Sequence, residues 1–208
     1  MTGASIRVSS IVNRSVAHGP GERFIVWVQG CTLGCPGCFS PTTHSPNGGR
    51  QVGVQQLADQ ILATANIEGV TISGGEPFQQ AKALAGLAEI VRGTGLTVMC
   101  YTGFTIAELQ RKRCDHVQRL LANIDLLVDG RFVESKSTNL RWRGSSNQNI
   151  HWLTNVYDHL KENDDTTSNV ELISAADAYT ATGIWPQDFF ENLHDMVRRE
   201  INDSTQAT

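Results

Sequence analysis

Three cysteines, Cys31, Cys35 and Cys38, fall in the spacing Cys-x3-Cys-x2-Cys. Thiolates are soft ligands that suit zinc or iron–sulfur clusters. The chain has five cysteines, an odd number, and such clustering in a chain expected to be cytoplasmic points to metal ligation rather than disulfides. A structural zinc site needs four ligands, and His44 is the nearest candidate for the fourth. A cubane cluster has four irons, so three cysteines leave one iron open to a substrate. The spacing alone leaves three readings: a zinc knuckle, an electron-transfer cluster completed by Cys100 or Cys114, and a catalytic cluster with an open iron. Taken singly, Cys100 and Cys114 read as small buried apolar residues.

A second group able to do chemistry is Gly74-Gly75-Glu76-Pro77. It follows the strand-like run Val70–Ser73 and precedes a helical pattern. That places it at the C-terminal edge of a sheet, where α/β proteins bind ligands. Paired glycines let main chain approach a ligand closely. Pro77 is preset for a first helical turn. Glu76 offers a carboxylate for charge-assisted hydrogen bonds from an ammonium group. The plain alternative is a glycine-rich turn with a solvated Glu76.

The elements that must position these groups alternate between strand and helix. Ile6–Val12, Phe24–Val28, Val70–Ser73, Leu96–Tyr101 and Ile124–Val128 read as strands. Val54, Leu57, Ala58, Ile61, Leu62 and Ala65 repeat at helical spacing, as do Leu84, Leu87, Ala88 and Val91. Thr105-x-x-Glu108 has the form of a capping box and predicts one helix over 105–121. This order implies parallel strands joined by right-handed crossovers, an α/β fold. After the polar stretch 161–169, Val170–Ile173 and Ala178–Ile184 are expected to pair as a hairpin. A last helix over 187–200 should bury Phe189, Leu193, Met196 and Val197.

Composition narrows the class. The 208 residues are 40% hydrophobic and 18% charged, enough for one sizeable core. The net charge of −4 gives no general attraction to nucleic acid or an anionic membrane. The longest apolar runs hold about six residues, far below the roughly 20 that span a bilayer. The first 15 residues have no apolar signal-peptide region. The expectation is a cytoplasmic protein with no nucleic-acid or membrane partner.

Together the cysteine loop and Gly-Gly-Glu-Pro resemble the signature of the radical S-adenosylmethionine superfamily. Within it the chain is similar to the activating proteins of glycyl-radical enzymes, and among these to those that serve anaerobic ribonucleotide reductase. The residues that carry this are GPGERFIVWVQGCTLGCPGCFSPTTH (19–44), TISGGEPFQQ (71–80), YTGFT (101–105), LLVDGRFV (126–133) and WRGSSNQNI (142–150). The resemblance spans about residues 5–155, and 169–186 resemble the family's terminal strands more weakly.

The resemblance implies an incomplete (β/α) barrel of the radical SAM type over 1–160. The segment 161–208 would add a C-terminal hairpin and helix packed on the same domain. Cys31, Cys35 and Cys38 would bind a [4Fe–4S] cluster whose fourth iron is chelated by S-adenosylmethionine. Gly74, Gly75 and Glu76 would hold the methionine amino end. Thr102 and Asp129 lie where the family contacts S-adenosylmethionine, Arg131 is a further cofactor-binding candidate, and Phe39 would stack beside the adenine. No catalytic residue is expected beyond the cluster and the cofactor. Reduced flavodoxin or ferredoxin would supply an electron. The resulting 5′-deoxyadenosyl radical would take a hydrogen from a glycine of the partner. His18 stands where the family has Asp and is given no role, and Ser40 departs from the usual Asn after Phe39. Two rival readings remain: a stand-alone radical enzyme acting on a small molecule, and a non-catalytic iron–sulfur or zinc module.

Overall fold

In the computed structural model, which describes residues 3–163, 167–175, 178–185, 189 and 192–195, the apolar run before the cysteine loop is a central strand. The strands are β1 (Ser5–Ser15), β2 (Arg23–Val28), β3 (Arg50–Gly53), β4 (Gly69–Gly74), β5 (Thr97–Tyr101), β6 (Leu126–Asp129) and β7 (Asn149–Trp152). They form one sheet in the order β3-β1-β2-β4-β5-β6-β7. β2, β4, β5 and β6 run parallel, while β1, β3 and β7 are antiparallel to their neighbours. The sheet ends at β3 and β7 and does not close. The fold is α/β with a parallel-rich sheet.

Successive side chains on a strand face opposite ways. Phe24, Val26 and Val28 of β2, Val70 and Ile72 of β4, Val98 and Cys100 of β5 and Leu127 of β6 face the helices. These are α1 (Val54–Ala63), α2 (Ala81–Gly93), α3 (Ile106–Arg111) and α4 (Asp115–Leu121). Leu57, Ile61, Leu84, Leu87, Leu109 and Leu120 fill this layer with no exposed surface. Each such leucine contributes roughly 2 kcal/mol of burial. The other face of the sheet holds Met99, Leu126, Val128 and Trp142 in a smaller cluster.

The N-terminal edge of the parallel strands is closed by Arg23, which is fully buried. Its guanidinium donates to Thr71 Oγ1 at 2.8 Å, Pro20 O at 3.1 Å, Thr97 Oγ1 at 3.0 Å, Tyr157 Oη at 3.1 Å and Val70 O at 2.8 Å. A buried cation is tolerable only when its donors are satisfied in this way.

The helix expected over 105–121 is two helices. Its capping box is present, with Thr105 and Glu108 bonded reciprocally. Lys112 and Cys114 then turn extended, and Gln118 Nε2 donates to the carbonyl of Leu109, which also accepts from Lys112 N, and to that of Lys112, at 2.9 and 3.0 Å. That side chain replaces the missing helical donors. Cys114, expected to be buried, is exposed at the N-cap of α4. β3 and β7 were not anticipated.

The expected hairpin forms from β8 (Val170–Ala175) and β9 (Ala178–Gly183), with Val170 opposite Gly183. It touches the rest of the chain where Glu171 Oε2 accepts from Val16 N at 3.2 Å and Thr182 meets His18. The helix expected over 187–200 lies mostly outside the described residues; 189 and 192–195 are helical. Among the described residues, no helix is long and apolar enough to cross a membrane.

Candidate cluster and cofactor site

The cysteine loop leaves the C-terminal end of β2 and is pinned at its base. Gly30 N donates to Thr43 O at 2.7 Å and Cys31 N to His44 O at 3.0 Å. Gln29 Nε2 donates across the loop to Thr42 O and Ser45 O at 3.1 and 2.8 Å. Inside it, Cys38 N donates to Cys35 O at 3.3 Å and Ser40 N to Cys38 Sγ at 3.4 Å. All three cysteines are half-buried. Burial pushes the Cys31 and Cys38 thiols up, and at Cys31 the amides of Leu33 and Gly34 oppose it. Binding of a metal by these thiols would therefore be accompanied by their deprotonation.

Among the described residues no three His, Cys, Asp or Glu side chains come close enough to hold one metal ion. A cubane cluster makes no such demand, because each thiolate meets a different iron. Three half-exposed thiols spread along one loop fit such a cluster. Cys100 has no exposed surface and faces the helices, and Cys114 caps α4, so neither supplies a fourth ligand.

Beside this loop, β4 pairs with β2 so that Gly74 lies opposite Val28. Gly75 N donates to Val28 O at 2.7 Å and Glu76 N to Gly30 O at 2.9 Å. A Cβ on Gly75 would stand 2.3 Å from Gly30 O, and Gly74 has φ +97° with a Cβ position 2.7 Å from Val28 N. Only glycines permit this approach. Two glutamines add to the tie. Gln80 Nε2 donates to Gln29 O and to Arg7 O, both at 3.0 Å, and Gln79 Nε2 lies 2.5 Å from Thr32 Oγ1.

Glu76 is 1% exposed. Its Oε1 accepts from Phe78 N and Thr102 Oγ1, and its Oε2 from Gly103 N, each at 2.9 Å. Burial pushes its carboxyl up, against those hydrogen bonds. A carboxylate has about four acceptor positions, so one is left for a further donor.

The other expected residues divide. A cavity of about 820 Å³ opens on the sheet face away from the helices, and Cys38, Phe39 and Gly74 all line it. Thr102 is buried behind them, holding Glu76. Asp129 is buried and occupied within the chain: Oδ2 accepts from Ile106 N at 2.6 Å and lies 2.9 Å from His151 Nε2, and Oδ1 accepts from Asn149 Nδ2 at 3.2 Å. Arg131 is exposed and not on the cavity wall. His18, given no role, is buried, 2.5 Å from Thr182 Oγ1 and edge-on to Trp27. Burial lowers its pKa to about 4, so it is neutral.

Sequence reasoning missed Gln29, Gln79, Gln80 and Arg23 as supports. All four sit inside the motifs that carry the resemblance, and Arg23 is a charge at the start of an apolar run.

A family model for a 4Fe–4S single cluster domain matches residues 17–151. The chain is 36% identical over 150 residues to the anaerobic ribonucleoside-triphosphate reductase-activating protein of Vibrio cholerae serotype O1, covering 67% of this chain and 93% of that one. The protein of that name from Escherichia coli K12 is 34% identical over 148 residues, 66% of this chain and 93% of its own. That of Enterobacteria phage T4 is 27% identical over 140 residues, 64% and 85%. With the loop, the glycine pair and the cavity lying together at one sheet edge, the chain belongs to the 4Fe–4S single-cluster domain family and to the family of these activating proteins.

Proposed function

We propose that this chain is a radical S-adenosylmethionine activating enzyme that generates a glycyl radical on an anaerobic ribonucleoside-triphosphate reductase. The observation that carries this is the meeting of Cys38, Phe39 and Gly74 on one cavity at the C-terminal edge of parallel strands. In this reading Cys31, Cys35 and Cys38 hold the [4Fe–4S] cluster. When bound, the cluster would supply one electron to S-adenosylmethionine, the chemistry that yields a 5′-deoxyadenosyl radical able to accept a hydrogen atom from the partner's glycine. The chain's own residues bind and orient. Gly74 and Gly75 bring main chain against the methionine end, and Glu76 accepts from its ammonium group through the one position its own chain leaves open. Thr102 fixes the Glu76 carboxylate, Phe39 faces the adenine, and Asp129 acts at one remove by anchoring the start of α3. Arg131, outside the cavity, is assigned to the rim.

The open sheet is read as an incomplete (β/α) barrel of the radical SAM type, with the described part of 161–208 packed on the 1–160 domain. Reduced flavodoxin or ferredoxin in the cytoplasm is the electron source. Relatives named as reductase-activating proteins weigh against a stand-alone enzyme for a small molecule.

The test is anaerobic. Protein reconstituted with iron and sulfide receives dithionite and S-adenosylmethionine, with and without the reductase. 5′-Deoxyadenosine together with a glycyl EPR doublet on the reductase is the expected result. Nucleoside without a protein radical would move the reading to a small-molecule substrate, and no nucleoside from cluster-loaded protein would end it.

A further inference from the structure

Residues 181–185 lie beyond the 17–151 span of the family match, yet they form part of the cavity wall. There Trp185 stands edge-on to Phe39, with ring centroids 5.9 Å apart and planes at 75°. Phe39 is in turn edge-on to Phe132 at 5.0 Å and 76°, and Phe189 stacks on Trp185 at 6.2 Å. Rings from the cysteine loop, from the stretch after β6 and from the C-terminal segment therefore make one aromatic corner next to Cys38. Much of the remaining wall carries hydroxyls, among them Ser9, Ser10, Thr42, Thr43 and Ser73.

The segment is fastened to the sheet. The His18–Thr182 contact of 2.5 Å is buried. Gly183 takes φ +124°, where a Cβ would stand 2.3 Å from Asn169 O and 3.2 Å from Ala17 Cβ. A side chain could not be inserted at this crossing without moving the hairpin, so Trp185 enters the cavity from a fixed base.

We propose that Trp185 is a cofactor-binding residue whose indole forms part of the wall that receives the adenine of S-adenosylmethionine. This rests on the S-adenosylmethionine reading above. A purine is flat and apolar on its faces, and aromatic side chains are its sequence-independent partners. The hydroxyl-lined wall suits a ribose and an amino-acid end, which leaves the aromatic corner for the base. Trp27 is the other indole on the wall, and its ring partner is His18, edge-on at 5.1 Å, rather than the Phe39 corner.

Full-length wild type, W185A, W185F and W27F are reconstituted to equal iron content, and binding of S-adenosylmethionine, 5′-deoxyadenosine and L-methionine is measured at equilibrium. W185A is expected to weaken both adenine-containing ligands about tenfold and to leave methionine unchanged. W185F is expected to restore most of the affinity. In cluster-free protein, 5′-deoxyadenosine should alter indole emission in wild type and W27F, and W185F should abolish that response. Wild-type nucleoside affinity in W185A, equal losses for methionine, or a response lost in W27F and kept in W185F would each overturn the assignment. A wild type with a full cluster that binds no S-adenosylmethionine would overturn the functional reading as well, which separates the two failures.

Discussion

Glu76→Ala would remove the acceptor from three donors at once: the buried Phe78 amide and Thr102 hydroxyl and the half-buried Gly103 amide. Each buried donor left without a partner costs about 1–3 kcal/mol. Water entering the vacated space would recover part of that, so the expected destabilisation is about 3–5 kcal/mol. Glu76→Gln separates structure from charge. The amide oxygen can keep the Phe78 and Thr102 bonds, while its NH2 would face the Gly103 amide, donor against donor. Removing a buried negative charge relieves its desolvation, because burial already pushes this carboxyl up. The net cost of Gln should therefore be only about 1 kcal/mol. Its effect on the ligand should be larger, since a charge-assisted bond to an ammonium is lost, and S-adenosylmethionine affinity should fall tenfold or more. Urea unfolding under anaerobic conditions gives the first quantity and equilibrium binding the second. Glu76→Ala within about 0.5 kcal/mol of wild type would refute the supporting role. Wild-type S-adenosylmethionine affinity in Glu76→Gln would refute the ammonium role.

Three further outcomes are expected. Gly75→Ala puts a Cβ 2.3 Å from Gly30 O and should force the cysteine loop off β4, costing about 1–3 kcal/mol and lowering iron bound per chain on reconstitution. His18 has a folded pKa of about 4 against an ordinary 6.5. The unfolded chain therefore takes up the proton first, and stability should fall as pH drops from about 6.5 to about 4, by about 3 kcal/mol in all. His18→Gln should lack that component when urea midpoints are compared at pH 7 and pH 4.5, and parallel pH profiles would contradict it. Arg23→Lys replaces a five-donor fork by three donors. It should cost at least about 2 kcal/mol in thermal or urea unfolding while leaving S-adenosylmethionine affinity unchanged.

The parallel strands β2, β4, β5 and β6 were legible because fully buried strands read as continuous apolar runs. The Thr105 capping box and the β8–β9 hairpin were legible because their signals are local. β3 and β7 escaped notice because each is a four-residue edge strand whose pairing is set by a distant neighbour. The break between α3 and α4 depends on the Gln118 amide reaching back to residues 109 and 112, which no periodicity reports. At the site, the residue types that do chemistry stood out, but their supports did not. Gln29 and Gln80 act through hydrogen bonds across 13 to 73 residues of sequence, and Thr102, named as a cofactor contact, holds Glu76. The burial of Glu76 is likewise a property of the folded turn around Gly103.

The Arg23 guanidinium also bears on the order in which the chain folds. Its acceptors lie as close as Pro20 and as far as Tyr157, which is 134 residues away and beyond the 151 limit of the family match. Until the strands carrying Thr71 and Thr97 are in place and residue 157 has returned, the guanidinium has only water and the nearby Pro20 carbonyl to bond. Dehydrating it early would cost several kcal/mol with nothing gained. That edge of the sheet must therefore close late, after the long loops have been brought together. During synthesis, the Arg23 network cannot be completed until Tyr157 has left the ribosome.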